Sequence, residues 1–341
     1  MRILVVAPSW IGDTLLAQPL FARLHVKYPA LALDALAPPW TAPMLRRMPE
    51  IDTVIDAPFG HGELKLRERW RLARALASKR YDMAIVLPNS LKSALIPRMA
   101  GIPKRVGFVG ESRYGLLNVR HVLDEHALPL MAERYAKLAE APDAPPARPL
   151  RRSHLRVDEA NRARAAASLA LDTARPIVAF CPGAEFGPAK RWPTRHFATL
   201  ARKLGAQGTQ TWLFGGPKDA AIGEAIRAGA PEAIVNLAGR TDLATAIDLL
   251  SLAQAVVSND SGLMHVAAAL DRPLVALYGS SSADHTPPLT ERAQLLSLQL
   301  ECSPCFARVC PLGHFRCLEE LLPDRVRAAL ESVAKTPRTD A

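Results

Sequence analysis

Short runs of apolar and β-branched residues alternate with amphipathic stretches along almost the whole chain, and this alternation restricts the folds open to it. In the first half the runs are Ile3 to Ala7, Ala32 to Ala37, Thr53 to Ile55 and Met83 to Leu87. Continuous apolar runs separated by helices belong to parallel strands covered on both faces. The stretch Leu64 to Ala77 places Leu64, Trp70, Leu72 and Leu76 on one side and Arg and Lys opposite, which predicts a surface helix packed on the sheet. At 141–149 the sequence reads APDAPPARP, whose prolines remove backbone donors and stop helices, so a linker is expected there. A helical stretch at 159–170 follows, and the alternation restarts with Ile177 to Phe180, Thr211 to Phe214, Ala233 to Val235, Ala255 to Ser258 and Leu274 to Tyr278. The reading is α/β, with two doubly wound parallel-sheet domains over residues 1–150 and 151–341. A chain of 341 residues is also long for a single core. Two such domains are expected to turn their ligand loops, at the carboxyl ends of the strands, toward a shared cleft.

Lys and Arg number 43 against 33 for Asp and Glu, a formal charge of +10, which favours anionic partners such as phosphorylated ligands, an acidic bilayer or nucleic acid. The cations are spread along the chain without interleaved aromatics, so nucleic acid is disfavoured. No apolar run approaches the roughly 18 residues of a membrane-spanning helix. The stretch after Arg2 runs into Trp10, Gly12 and Asp13 without a small-residue cleavage site, so a cytosolic protein is expected. No G-x-G-x-x-G follows the first strand and no G-x-x-x-x-G-K-[ST] occurs anywhere, which argues against dinucleotide and P-loop enzymes.

Four segments carry candidate chemistry. The first strand empties into PSWIGDTLLAQPL, with Gly12 and Asp13 where a helix would begin. Asp13 is there either a helix N-cap or a base facing the cleft. The second domain opens with CPGAEFGPAKRWP at 181–193, where small residues permit close backbone approach and Lys190 and Arg191 supply charge suited to a diphosphate. A solvated basic loop is the plainer alternative. In VVSNDSGLMHVAAAL, at 256–270, a buried strand ends at Asn259 and Asp260, and the N–H groups of Ser261, Gly262 and Leu263 open a helix. Such a helix start binds anions, and His265 on its first turn has the same oxygens in reach. GSSSADHTPP, at 279–288, touches a nucleotide or, on the reading favoured here, is a plain surface loop.

Taken with YDMAIVLPNSLKSALIPRMAGIPKRVGF, ESRYGLLN, PLMAERY and NDSGLMHVAAALDRPLVALYG, these stretches make the chain resemble the lipopolysaccharide heptosyltransferases of glycosyltransferase family 9. The resemblance implies a GT-B fold of two Rossmann-like domains, the first for the acceptor and the second for the nucleotide sugar. It implies ADP-heptose as donor, heptosyl-Kdo2-lipid A as acceptor, and transfer with inversion beside the cytosolic face of the inner membrane. Asp13 is then the base, with Gly12 beside it. Lys190 lies on the donor phosphates, and Asp260, Ser261, Gly262 and His265 surround the diphosphate and sugar. Asp219, in FGGPKD, matches more loosely an acidic position at the ribose. No cofactor is required. Lys92, Arg98 and Arg113 are expected at acceptor carboxylates and phosphates on charge alone. The alternatives are a family member acting at another core position and a non-catalytic binder of anionic lipid or nucleic acid.

The segment CSPCFARVCPLGHFRC, at 302–317, departs from some relatives. Its C-x2-C-x4-C-x6-C spacing suits a zinc or iron–sulfur site, whereas reduced thiols in a packed loop are the other reading.

Overall fold

In the computed structural model of the chain, residues 1–60, 63–146 and 148–336 are described, and two compact units form, Met1–Ser153 and the remainder from His154. The first holds β1 (Arg2–Val6), β2 (Ala32–Ala37), β3 (Thr53–Asp56), β4 (Met83–Val86), β5 (Lys104–Phe108) and β6 (Val119–His121) in the order β3-β2-β1-β4-β5-β6. The second holds β7 (Ile177–Cys181), β8 (Gln210–Leu213), β9 (Ile234–Asn236), β10 (Ala255–Asn259), β11 (Leu274–Leu277) and β12 (Ala293–Leu296) in the order β12-β11-β10-β7-β8-β9. All neighbours are parallel. Counted from its own first strand, each sheet runs 3-2-1-4-5-6, the doubly wound order. The strand order reverses between β1 and β4 in one unit and between β7 and β10 in the other, and ligands bind at such points.

The central strands are buried on both faces, which is why they read as uninterrupted apolar runs: Ile3, Leu4 and Val5 are fully buried, as are Val256 and Val257. β5, β6 and β12 carry no such signal. β5 opens on Lys104 and Arg105, β6 is three residues long, and β12 lies at a sheet edge with Leu295 exposed.

The helix Leu66–Ala77 packs Leu72 and Leu76 on the core as its periodicity predicts, but the rest of its inward face differs from that expectation. Leu64 and Trp70 are about half exposed, while Arg69, Ala73 and Leu76 are buried. Arg69 takes the inward position because its guanidinium lies 4.2 Å from the Phe59 ring centroid and donates to the carbonyls of Leu64, Lys92 and Glu63. A satisfied arginine can occupy a site that apolar patterning assigns to Leu or Trp.

His121 closes β6 almost fully buried, edge-on to Phe108, and neither ring nitrogen has a hydrogen-bond partner among the described residues. Burial, reinforced by the charge of Lys137, pulls its pKa down to about 4. A histidine with a folded pKa below its unfolded value leaves stability intact above about pH 6.5 and costs stability as pH falls toward the folded value. Melts of the parent and of His121→Phe check this. The stability lost between pH 7 and pH 5 should shrink by roughly 1 to 2 kcal/mol in the variant. An equal loss in both proteins contradicts the assignment.

Candidate active site

In the first unit the chain leaves β1 at Val6 and enters the helix Ile11–Leu16, with Trp10 extended at its N-cap. Thr14 Oγ1 donates to the Trp10 carbonyl at 2.8 Å, and Trp40 Nε1 donates to the Ser9 carbonyl at 2.8 Å, which together fix this turn. Asp13 is therefore the third helical residue and not the cap, contrary to one of the two readings of the sequence. A carboxylate there is favoured by the positive end of the helix dipole. Gly12 is the second helical residue. Asp13 is partly exposed and lines a cavity of about 800 Å³ at the β1/β4 reversal, with Pro8, Trp10, Trp40, Asn89 and Lys92 among its walls. That volume lies within the range of small-ligand sites. Tyr135, on the same wall, is held protonated well above the usual phenol range, chiefly by burial and then by the charge of Asp13.

The opposite wall follows β4. Glu111 accepts from Leu91 N at 2.8 Å, where the helix Leu91–Met99 begins. Arg113 was expected at the acceptor but is 2% exposed and donates to the Pro88 carbonyl at 2.8 Å, to Asn89 and to the Phe108 carbonyl. It pins the wall from behind. Lys92 lines the cavity, whereas Arg98 does not.

In the second unit β7 and β10 end side by side at Cys181 and Asn259. Asn259 ties the following loops together, donating to the Pro182 carbonyl at 2.7 Å and accepting from Trp192 N at 3.1 Å. Trp192 is buried against Phe197 and donates to the Leu321 carbonyl at 2.7 Å, so the chain two residues after Lys190 is anchored in the core. Lys190 Nζ lies 2.5 Å from Asp260 Oδ2, and Ser281 Oγ donates to the same oxygen at 2.5 Å. Lys190 and Asp260, both expected around the donor phosphates, thus pair with each other. An ammonium has three donors, so this ion pair leaves Lys190 able to bind a further anion.

Ser261 is the extended N-cap of the helix Gly262–Ala269. As first-turn residues, Gly262 and Leu263 have N–H groups without intrahelical acceptors, which is the anion-binding end of a helix. His265 is 5% exposed, and burial lowers its pKa to about 4, with Asp260 opposing and Lys190 adding to the shift. Its ring is therefore neutral at pH 7 and offers an anion a hydrogen bond rather than a charge. Asp219 Oδ2 accepts from Gly216 N at 3.0 Å. A Cβ at Gly183 or Gly215 would meet the Asp219 side chain at 2.5 or 2.7 Å, so this carboxyl packs between the loops after β7 and β8.

The loop at 279–288 is not the plain surface loop favoured from sequence: Ser280 and Ser281 are buried, and Ser281 completes the Lys190–Asp260 cluster. Reasoning from sequence did not single out Asn259 as the connector. Its signal is an amide at the last position of a fully buried strand.

Gly187 lies where the 186–190 loop meets the segment around Arg308. A Cβ there would come within 2.4 Å of the Arg308 carbonyl oxygen, and Ala189 N donates to that oxygen at 3.0 Å. Gly187→Ala must move one of two backbones, at a cost of about 1 to 3 kcal/mol. A lower melting temperature with weakened ADP binding is expected, and a variant indistinguishable from the parent in both would contradict this packing.

A family model described as glycosyltransferase family 9 (heptosyltransferase) matches residues 69–316. Lipopolysaccharide heptosyltransferase 2 of Salmonella typhimurium is 47% identical over 344 residues, covering 98% of each chain. Lipooligosaccharide heptosyltransferase 2 of Haemophilus influenzae is 48% identical over 309 residues, 87% of this chain and 89% of the relative. The solved structure of E. coli ADP-heptose LPS heptosyltransferase II matches with a TM-score of 0.89 at 44% identity over 98% of both chains. Two doubly wound units of matching strand order, each with polar groups gathered at its reversal point, agree with those matches, and the chain belongs to glycosyltransferase family 9, the heptosyltransferases.

Proposed function

We propose that this chain transfers L-glycero-D-manno-heptose from ADP-heptose to the first heptose of the Kdo2-lipid A inner core, with inversion at the anomeric carbon. The observation that carries the reading is near-full-length identity to lipopolysaccharide heptosyltransferase 2. The first unit takes the acceptor and the second the nucleotide sugar. In one in-line step the acceptor hydroxyl attacks the anomeric carbon, its proton passes to the Asp13 carboxylate, and the bond from that carbon to the diphosphate oxygen breaks. The electron pair leaves with ADP.

Lys190, the N–H groups that open the helix at Gly262, and the neutral ring of His265 stabilise the charge growing on the leaving diphosphate. These groups supply the leaving-group stabilisation without a cofactor. Asp260 and Ser281 hold Lys190 in place, and Asp219 shapes the loop at the ribose. Lys92 lines the cavity of Asp13 with no ion pair to its ammonium among the described residues, which suits an anionic core sugar. No helix among the described residues is long and apolar enough to cross a membrane. Because the acceptor is a lipid and the chain carries a formal charge of +10, we place the reaction at the anionic surface of the inner membrane.

Acceptor choice tests the reading. With ADP-heptose as donor, acceptor already carrying one heptose should be glycosylated at least about tenfold faster than heptose-free Kdo2-lipid A, a difference of about 1.4 kcal/mol. The reverse preference would move the activity to the earlier core position.

A further inference from the structure

The segment between β12 and the helix Arg316–Glu319 carries four of the five cysteines, Cys302, Cys305, Cys310 and Cys317, and heptose transfer as derived above uses none of them. All four line one small cavity of about 20 Å³, together with His314 and Ser280. This is room for about one water-sized sphere. The thiols are free, so no disulfide fastens the segment.

It is fastened by a few polar contacts, Phe306 N and Ser303 Oγ donating to the carbonyls of Ser280 and Gly279 and the Arg308 carbonyl accepting from Ala189 N, rather than by buried apolar side chains. Residues 300–315 contain no helix or strand, and Phe306, Val309 and Leu312 are each about 60% exposed. A loop of this length with so little buried apolar surface needs another source of order. Its backbone nonetheless takes a demanding course, with φ of 53° at Phe306 and 50° at Phe315. The turn after Cys310 is closed by Gly313 N, which donates to the Cys310 carbonyl at 3.1 Å.

We propose that Cys302, Cys305, Cys310 and Cys317 form a four-thiolate site for one soft divalent cation, zinc or iron. Four sulfur ligands select these metals and close a tetrahedral structural site with no open position for substrate. Among the described residues no three Cys, His, Asp or Glu side chains already stand close enough to hold an ion. Loading therefore draws the sulfurs inward about the cavity, to about 2.3 Å for zinc, and releases the four thiol protons to solvent. The site lies behind the donor loops. Phe306 N donates to the Ser280 carbonyl at 2.6 Å, next to the serine that holds Asp260, and the Arg308 carbonyl accepts from Ala189, next to Lys190. An ion here would hold the wall on which the Lys190–Asp260 pair rests.

The test uses full-length protein purified without chelator or a metal-affinity tag. Elemental analysis should find about one zinc or iron per chain, and cobalt(II) added to metal-free protein should give the intense visible bands of a tetrahedral thiolate site. Cys305 is exposed, so Cys305→Ser should fold normally and lose metal by about tenfold or more. A parent with less than about a tenth of an equivalent and no cobalt bands overturns the proposal. So does a Cys305→Ser variant that keeps its full metal content, or a metal-free parent in which these cysteines are joined as disulfides.

Discussion

Asp13→Asn is expected to slow heptose transfer by about a hundred- to ten-thousand-fold, the range general-base catalysis supplies. Asn keeps the size and most of the hydrogen bonding of Asp but cannot take the hydroxyl proton. Because Trp10 and not Asp13 is the N-cap, the substitution removes no cap from the helix Ile11–Leu16 and costs it a first-turn charge, about 0.3 to 1 kcal/mol. The melting temperature and the affinity for ADP-heptose should therefore stay close to the parent's, so that the loss falls on kcat. Near-parental turnover in a variant that melts normally would remove Asp13 from the base role. The search would then pass to Glu111, the other carboxylate lining that cavity.

Lys190→Ala is expected to weaken ADP binding by about ten- to a hundred-fold, the equivalent of one charge-assisted contact in a dry site. It should also destabilise the fold by about 2 to 4 kcal/mol, less than a fully buried pair because 17% of the Lys190 side chain is exposed. The reason is that Asp260, 6% exposed, would be left with the Ser281 hydroxyl as its one side-chain partner among the described residues. The double variant Lys190→Ala with Asp260→Asn separates the two effects. Neutralising the stranded carboxylate should restore much of the melting temperature, while ADP remains weakly bound. Calorimetry showing parental ADP affinity in either variant would reduce the ion pair to a structural one.

Central strands such as β1 and β10 were legible because burial on both sides leaves an unbroken apolar run, and the edge strands β3 and β9 were legible from short β-branched runs. Edge strands β6 and β12 escaped because β6 is three residues long with Arg120 exposed in it, and Gln294 interrupts the apolar run of β12. Of the site, the positions carried by backbone geometry were readable: a carboxylate after the first strand, and Ser261 and Gly262 opening a helix after β10. Side-chain pairings across distant loops were not. Lys190 and Asp260 are 70 residues apart, and only the β7–β10 pairing brings their loops together. The same limit misplaced Arg113, whose charge suggests a ligand but whose two terminal nitrogens are turned to the carbonyls and amide of its own wall.

The account rests on heptose transfer, and one measurement reaches it directly. Purified chain is mixed with ADP-heptose and heptosyl-Kdo2-lipid A, the acceptor is followed by mass spectrometry, and ADP is assayed in the same tube. The expected result is one heptose added per acceptor with one ADP released for each. The contradicting result is an acceptor of unchanged mass, with or without ADP release, under conditions where a related heptosyltransferase 2 glycosylates the same preparation.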